Sequence, residues 1–374
     1  MAQSIRQMTG AEFPLFAFSH CRDVVAAVSR AGGFGVLGGS SFTPESLAVE
    51  LDWIVDHVGG RPFGVDILIP ENLELGAEFT VDQLADRISE RHRDFTVGLL
   101  ARHGVPLSRA DAIRRVTPQT SPKVGEELLD IAFRYPIRLI ANALGLAPPK
   151  MLALGSEKGV PVAALVGAKE HALRQISAGV DVLVAQGSEA GGHCGEVSTL
   201  VLVPEVIAAI KPVREVPVLA AGGIVTGQQM AGCMAMGAQG VWTGSVWLAT
   251  VESETSEVFR EKMVEATSRD TIRSKARTGK PSRQLRSAWH DAWEGPDSPG
   301  ALPMPLMGMI SEPAFRSITR EAEKGNPQAR ALTSYFVGQG VGLINEIRSA
   351  GAVVQQLKEE FAAALEDLIA SIEC

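Results

Sequence analysis

The sequence predicts an α/β fold closed into a (β/α)8 or TIM barrel, and three observations predict it. Short apolar runs, many of them β-branched, alternate with longer helix-like stretches over most of the 374 residues, the pattern of repeated βα units around a parallel sheet. Eight such runs can be counted. Glycine-rich turns follow several of them, at the C-terminal strand ends where barrels of this type bind ligands.

The runs are Pro14 to Phe18, Gly35 to Leu37, Pro62 to Ile69, Arg138 to Ala141, Val160 to Val166, Val180 to Ala185, Val216 to Ala220 and Gly240 to Thr243. The sixth, VDVLVA, shows the reasoning: it is short, apolar and β-branched, which suits a strand buried on both faces. Between the runs lie helical stretches such as Asp23 to Ala31, Ala168 to Ala178 and Thr226 to Met236, stopped by Gly32, Gly179 and Gly237, since glycine just past a helix is its usual end signal.

Two regions break the rhythm. Pro70 to Tyr135 stands where one short connection is expected after strand three, and holds a helix-like stretch (Val81 to His103), a Pro/Ser/Arg segment (Val105 to Lys123) and a second helix-like stretch (Val124 to Arg134). A connection this long reads as a lid or binding loop. Glu252 to Pro313 ends in a proline-rich run, Glu294 to Met309. Its prolines argue against a regular helix, and Met304, Met307 and Met309 either offer adaptable apolar surface or fill the barrel's flank. Ala350 to Ile372 carries Val353, Val354, Leu357, Phe361, Leu365 and Ile369 near helical spacing and reads as a packing helix. The expected organisation is a barrel over 1–250, interrupted by the 70–135 insertion or lid, and a helical and loop extension over 251–374 that covers the barrel mouth.

Composition excludes several function classes. Apolar residues make up 45% and charged residues 21%, and 43 acids against 35 bases leave a net charge of −8 without a long basic run, so nucleic acid is not an expected partner. No apolar stretch is long enough to span a membrane, and the first residues lack the layout of a signal peptide, so no membrane association and a cytoplasmic location are expected. Cys21, Cys194, Cys233 and Cys374 are scattered without metal-ligand spacing, which points to free thiols and no metal.

The most informative stretch is Val184-Ala-Gln-Gly-Ser-Glu-Ala-Gly-Gly-His-Cys-Gly195, where an apolar strand ends in a glycine-rich turn carrying one histidine. Gly187, Gly191, Gly192 and Gly195 let the backbone approach a bound group, and His193 can move a proton near neutral pH. Cys194 beside it does not suggest a nucleophile and base, because such pairs are normally assembled from distant segments. Gly222-Gly223-Ile224 ahead of the helix near Thr226, together with Gly244 and Ser245, offers backbone N–H groups and a helix dipole that bind an anion such as phosphate. Neither the Rossmann glycine fingerprint nor a P-loop is present, which argues against a nicotinamide cofactor in a Rossmann domain.

Gln186-Gly-Ser-Glu-Ala-Gly-Gly-His193, Ala220-Ala-Gly-Gly-Ile224, Gly240-Val-Trp-Thr-Gly-Ser245, Thr278-Gly-Lys-Pro-Ser-Arg283 and Gly338-Gln-Gly-Val-Gly342 together resemble the nitronate monooxygenases, once called 2-nitropropane dioxygenases. The resemblance spans roughly Phe13 to Leu357. The same wider group contains flavin-dependent enoyl-acyl-carrier-protein reductases and NAD(P)H-quinone reductases.

The resemblance implies FMN across the strand C-termini, with Gln186, Gly191 and Gly192 on the isoalloxazine side, Gly222 and Gly223 at the phosphate, and Trp242, Thr243, Gly244 and Ser245 completing the cradle. It implies His193 as the catalytic residue, abstracting a nitroalkane α-proton or holding the nitronate, with O2 as co-substrate and a carbonyl compound and nitrite as products. The partners are a small-molecule substrate and O2, with a homodimer left open. The alternative keeps FMN but acts on an enoyl- or acyl-thioester or a quinone with NAD(P)H, for which the basic segment Arg269 to Arg286 would suit a phosphate-bearing carrier. Two departures stand out. The first loop reads Leu15-Phe-Ala-Phe-Ser-His-Cys-Arg22, so His20 and Arg22 fall where it should meet the cofactor. Strand three ends in Asp66, a cofactor-site position where the family commonly has asparagine. A carboxylate there either pairs with a cation such as Arg22 or lowers the flavin's potential.

Overall fold

A computed structural model describes residues 3–69, 79–114 and 122–372. Cys374 and the parts of the predicted insertion at 70–78 and 115–121 lie outside the described residues.

Eight parallel strands close into a barrel in chain order: β1 (Leu15–Ser19), β2 (Phe34–Gly38), β3 (Phe63–Asp66), β4 (Ile140–Asn142), β5 (Val162–Val166), β6 (Val182–Gln186), β7 (Val218–Ala221) and β8 (Gly240–Thr243). Each of the eight predicted runs contains or overlaps one of them. β1 closes the ring by pairing Phe16 with Phe34 of β2 and with Trp242 of β8. Alternation along each strand divides the apolar residues between two cores. Phe16, Phe34, Val36, Leu139, Ala141, Ala163, Val182, Val184, Leu219 and Trp242 fill the barrel interior. Leu15, Leu37, Phe63, Val65, Ile140, Leu183 and Val241 pack outward against the helices.

The three helices expected from the sequence are present as Arg22–Arg30, Lys169–Ala178 and Gly227–Ala235. The third starts at Thr226, whose hydroxyl accepts from Gln229 N while the Gln229 side chain returns to the Thr226 backbone, a capping box.

Parts of the two irregular regions pack together. Leu84, Ile88, Leu99 and Leu100 of the insertion share a second hydrophobic core with Trp289, Trp293, Met307, Ile310 and Phe315 of the extension. Three expectations are corrected here. Val81 to His103 is two helices, Val81–Asp86 and Glu90–Arg102, because Thr80 and Ser89 each supply a separate N-cap position. The proline-rich run does not exclude a helix: Pro303 and Pro305 precede Leu306–Glu323, at the end where a missing N–H costs nothing, and Met307 and Met309 are buried core rather than adaptable surface. The helix Ala350–Ile372 packs as expected but on the barrel's flank, against Arg22–Arg30 and Gly227–Ala235. Glu360 accepts from Gly227 N at 2.7 Å, and Lys358 donates to Ala31 O at 2.6 Å. That part of the extension therefore does not cover the mouth.

Candidate active site

The loops after β6, β7 and β8 meet at one end of the barrel, and hydrogen bonds show what ties them. After β6 the chain turns so that the Glu189 carboxylate accepts from Thr199 N at 2.9 Å, at the N-terminus of the helix Thr199–Ile210, where negative charge is favoured. The buried Thr199 hydroxyl reaches Gly222 O at 3.0 Å, Ala221 O at 3.2 Å and Glu189 Oε2 at 3.0 Å, linking the β6 loop to the β7 loop.

A third segment lies across both. Gln339 N donates to Glu189 O and Gly338 N donates to Ser245 Oγ, each at 2.8 Å, which stitches the loops after β6 and β8. Gly191 is glycine for this approach: a Cβ there would lie 2.9 Å from the Val337 and Gly338 backbone. Gly222 and Gly223 have φ of 107° and 72°, the left-handed region where glycine is at ease.

His193 sits on the rim of this arrangement, half-buried. Its Nδ1 lies 3.1 Å from the Pro281 carbonyl, which can only accept, so Nδ1 carries the proton and Nε2 is left with its lone pair. Burial holds the imidazole below the usual histidine range, and the Lys280 charge adds to this against the bond to Pro281. The neutral form, which can accept a proton, is therefore the resting form near pH 7. The loop is braced by the antiparallel hairpin of β9 (Thr271–Ser274) and β10 (Ser282–Leu285). Gly192 and Arg283 exchange backbone hydrogen bonds at 2.9 and 2.8 Å, and Arg283 Nε donates to Ser188 O at 2.9 Å. His193 borders a cavity of about 290 Å³ that Gln186, Cys194, Leu165, His171 and Arg174 also line, at the C-terminal ends of β5 and β6.

Gln186 continues the inward series of Val182 and Val184. Trp242 is buried in the barrel interior, with its ring 6.3 Å from Phe16 and 6.4 Å from Phe18. The Thr243 hydroxyl is already engaged, donating to Phe16 O at 3.1 Å and accepting from Trp247 Nε1 at 3.0 Å, so only its backbone can serve a ligand. A Cβ on Gly244 would meet nothing within 4 Å, leaving open space above it. Among the described residues no protein acceptor pairs with the N–H of Gly222, Gly223 or Gly244. These N–H groups are left available to an anion such as phosphate.

Asp66 and Arg22 are not a pair. Arg22 reaches Glu50 at 3.4 Å and stacks over Trp53 on the barrel's flank, because the helix it begins carries it outward. It therefore cannot neutralise a cofactor phosphate. His20 stays at the strand ends, with Nδ1 3.0 Å from Gly38 O. Asp66 is 3% exposed and its Oδ2 has no hydrogen-bond partner. Part of the basic segment is likewise engaged within the protein. Arg273 pairs with Glu196, Arg286 with Asp291, and buried Arg277 lies against Phe315, Tyr335 and Phe336. The carrier-binding role considered for it loses Arg277 and Arg283, while the Arg286–Asp291 pair lies at the surface. Cys194 donates to Ser188 O at 3.5 Å, and burial raises its thiol pKa, so it is no nucleophile for His193. Cys21, Cys194 and Cys233 are free thiols.

Sequence reasoning passed over Glu189, Thr199, His171 and Arg174. Glu189 was visible inside the histidine motif, but its capping role depends on where Thr199 folds. The signal for Thr199 was its place at a helix start after a serine.

A closed parallel barrel with a tautomer-fixed histidine and unpaired backbone N–H groups at its strand C-termini is a TIM barrel whose candidate site lies at the usual end. The sequence profile described as nitronate monooxygenase matches residues 17–360, and the chain belongs to that family of oxidoreductases. A Mycobacterium tuberculosis protein, Rv1533, named provisionally as a monooxygenase, is 50% identical over 367 residues, covering 96% of each chain. A Staphylococcus saprophyticus protein, named provisionally as a nitronate monooxygenase, is 26% identical over 90% of each chain. Among solved structures, nitroalkane oxidase from Streptomyces ansochromogenes superposes with a TM-score of 0.79 at 26% identity, covering 98% of this chain and 100% of that one. FabK from Thermotoga maritima does so with a TM-score of 0.71 at 26% identity, covering 99% and 100%. Among the described residues no helix is long and apolar enough to cross a membrane.

Proposed function

We propose that the protein is an FMN-dependent oxidoreductase that converts alkyl nitronates or nitroalkanes, with O2, to a carbonyl compound and nitrite. The observation that carries this is His193. Its Nδ1 is held by Pro281 and its Nε2 is free to accept, beside a cavity that Gln186 also lines. A nitroalkane α-hydrogen is acidic enough for such a base, and the apolar surroundings that keep His193 neutral also match it to work near neutral pH. FMN, when bound, supplies the two-electron acceptor that the side chains lack.

The residues present fit that cofactor. The unpaired N–H groups of Gly222, Gly223 and Gly244 would hold its phosphate, Ser245 Oγ still has a proton to donate, and Gln186 and Trp242 sit at the inward strand ends. Membership in the family and the likeness to nitroalkane oxidase support the same reading.

A second reading, favoured by the likeness to FabK, keeps the flavin but reduces it with NAD(P)H. Anaerobic mixing separates the two. The expected result is a yellow protein whose flavin bleaches with propionate 3-nitronate or a nitroalkane. Bleaching by NAD(P)H alone supports the second reading, and no bleaching with any nitro compound refutes the first.

A further inference from the structure

Among the described residues, no cation balances the buried Asp66 carboxylate. β3 alternates Phe63 and Val65 outward with Gly64 inward, where a Cβ would lie 3.0 Å from the inner ring of Phe34. Asp66, two residues on, therefore faces the barrel interior at its ligand-binding end. Its neighbours supply no charge. Across the β2 register it meets Gly38 and across the β4 register Ala141. Next to Ala141, the Asn142 side chain accepts from Ile69 N and donates to the Leu144, Gly145 and Leu146 carbonyls. The inward residues near the same end of β1, β5, β6 and β8 are Phe18, Leu165, Gln186 and Trp242. The titratable group at the adjoining strand end is His20, whose charged form burial disfavours.

Desolvation disfavours an ionised carboxylate in this setting, whereas a neutral acid needs only a hydrogen-bond partner. Among the described residues none pairs with Oδ2, and a buried polar group left unpaired in this way points to an absent partner.

Resting on the FMN reading above, we propose that Asp66 is kept as a neutral carboxylic acid and that its O–H is the donor which the end of β3 offers to the bound flavin. Holding the cofactor therefore holds one proton. Burial pushes the Asp66 carboxyl up to about 8, with no charged neighbour among the described residues contributing, so the acid form dominates at pH 7. Above that value the donor is lost and a negative charge takes its place. Asp66→Asn has the same shape and a donor at every pH.

The experiment measures FMN dissociation by flavin fluorescence from pH 6.5 to 9 in the wild type and in Asp66→Asn. If only the acid form binds, the wild-type dissociation constant rises by about tenfold per pH unit above pH 8, while that of Asp66→Asn stays within about twofold. Parallel profiles for the two proteins overturn the proposal. Failure of the wild type to bind FMN at any pH overturns the FMN reading itself, and the proposal with it.

The flavin-free protein gives an independent readout. The unfolded-state value is 3.8 and the folded value about 8, so the native state keeps a proton that the unfolded chain releases between them. This contribution to stability is greatest near pH 4 and is lost as pH rises to about 8. Asp66→Asn should remove that slope, and an unchanged slope shows that Asp66 is ionised in the fold.

Discussion

Replacing Thr199 by valine removes one oxygen while keeping the volume, and the structure says what that oxygen holds. Thr199 is 6% exposed, and its hydroxyl has one proton for three acceptors within 3.2 Å. Two of those acceptors have other donors. Ala221 O receives Gly187 N at 2.9 Å, and Glu189 receives Thr199 N at 2.9 Å. Gly222 O, at 3.0 Å, is the acceptor that depends on the hydroxyl. Losing one such bond and leaving a partly buried carbonyl unpaired should cost about 1–2 kcal/mol. The assay is urea unfolding, read as a lower midpoint at unchanged slope. Because the bond ties the β6 loop to the phosphate-type glycines, FMN affinity should fall by roughly tenfold if most of the energy positions that loop. Thr199→Ser, which keeps the hydroxyl, should retain the affinity. A Thr199→Val protein with wild-type midpoint and wild-type FMN affinity would refute the idea that this hydroxyl joins the two loops.

Gly191→Ala places a Cβ 2.9 Å from backbone atoms of Val337 and Gly338, so the two segments must part. A loss of about 1–3 kcal/mol is expected, with weakened turnover, and wild-type stability by denaturant titration would show that the contact has slack. His193→Ala should lower turnover of a neutral nitroalkane by ~10²–10⁴ while changing turnover of a preformed nitronate far less. In the wild type, nitroalkane kcat/KM should be flat above pH 6.5 and fall only below it, because His193 titrates under the usual histidine value. A limb rising above pH 7 would contradict that. His290 is fully buried, and burial lowers it to about 4. Its neutral form accepts from Ser287 N at 3.2 Å and lies 3.3 Å from Gln284 Oε1. The unfolded chain takes up a proton below pH 6.5 that the native state refuses, so stability should be lost as pH falls from 6.5 towards 4. His290→Gln should flatten that stretch of the stability profile, and an unaltered profile would show that another group sets it.

Much of the fold was legible because its signals are local. The eight strands could be counted from short β-branched runs, and the helix ends from Gly32, Gly179 and Gly237, since each depends on residues within one element. The glycine turns after β6, β7 and β8 were readable for the same reason. Their joining was not. Thr199, Gln339 and Arg283 reach across 10 to 150 positions of sequence, and no periodicity reports which distant loop a side chain will meet. Arg22 shows the same limit. Its sequence position suggested the cofactor, yet the helix it begins turns it toward Glu50 and Trp53.

What the sequence by itself determined is therefore the (β/α)8 barrel, the end of the barrel where the candidate site lies, and the glycine-rich turn that carries His193. All of these follow from chain-local geometry and from the alternation of strand and helix. Only the tertiary structure decided that part of the 70–135 insertion shares a core with part of the 251–374 extension, that Arg277 and Arg283 of the basic segment are spent on internal contacts, and that Asp66 Oδ2 has no partner among the described residues. A charge's state depends on everything packed around it, and packing brings together residues that the sequence keeps far apart.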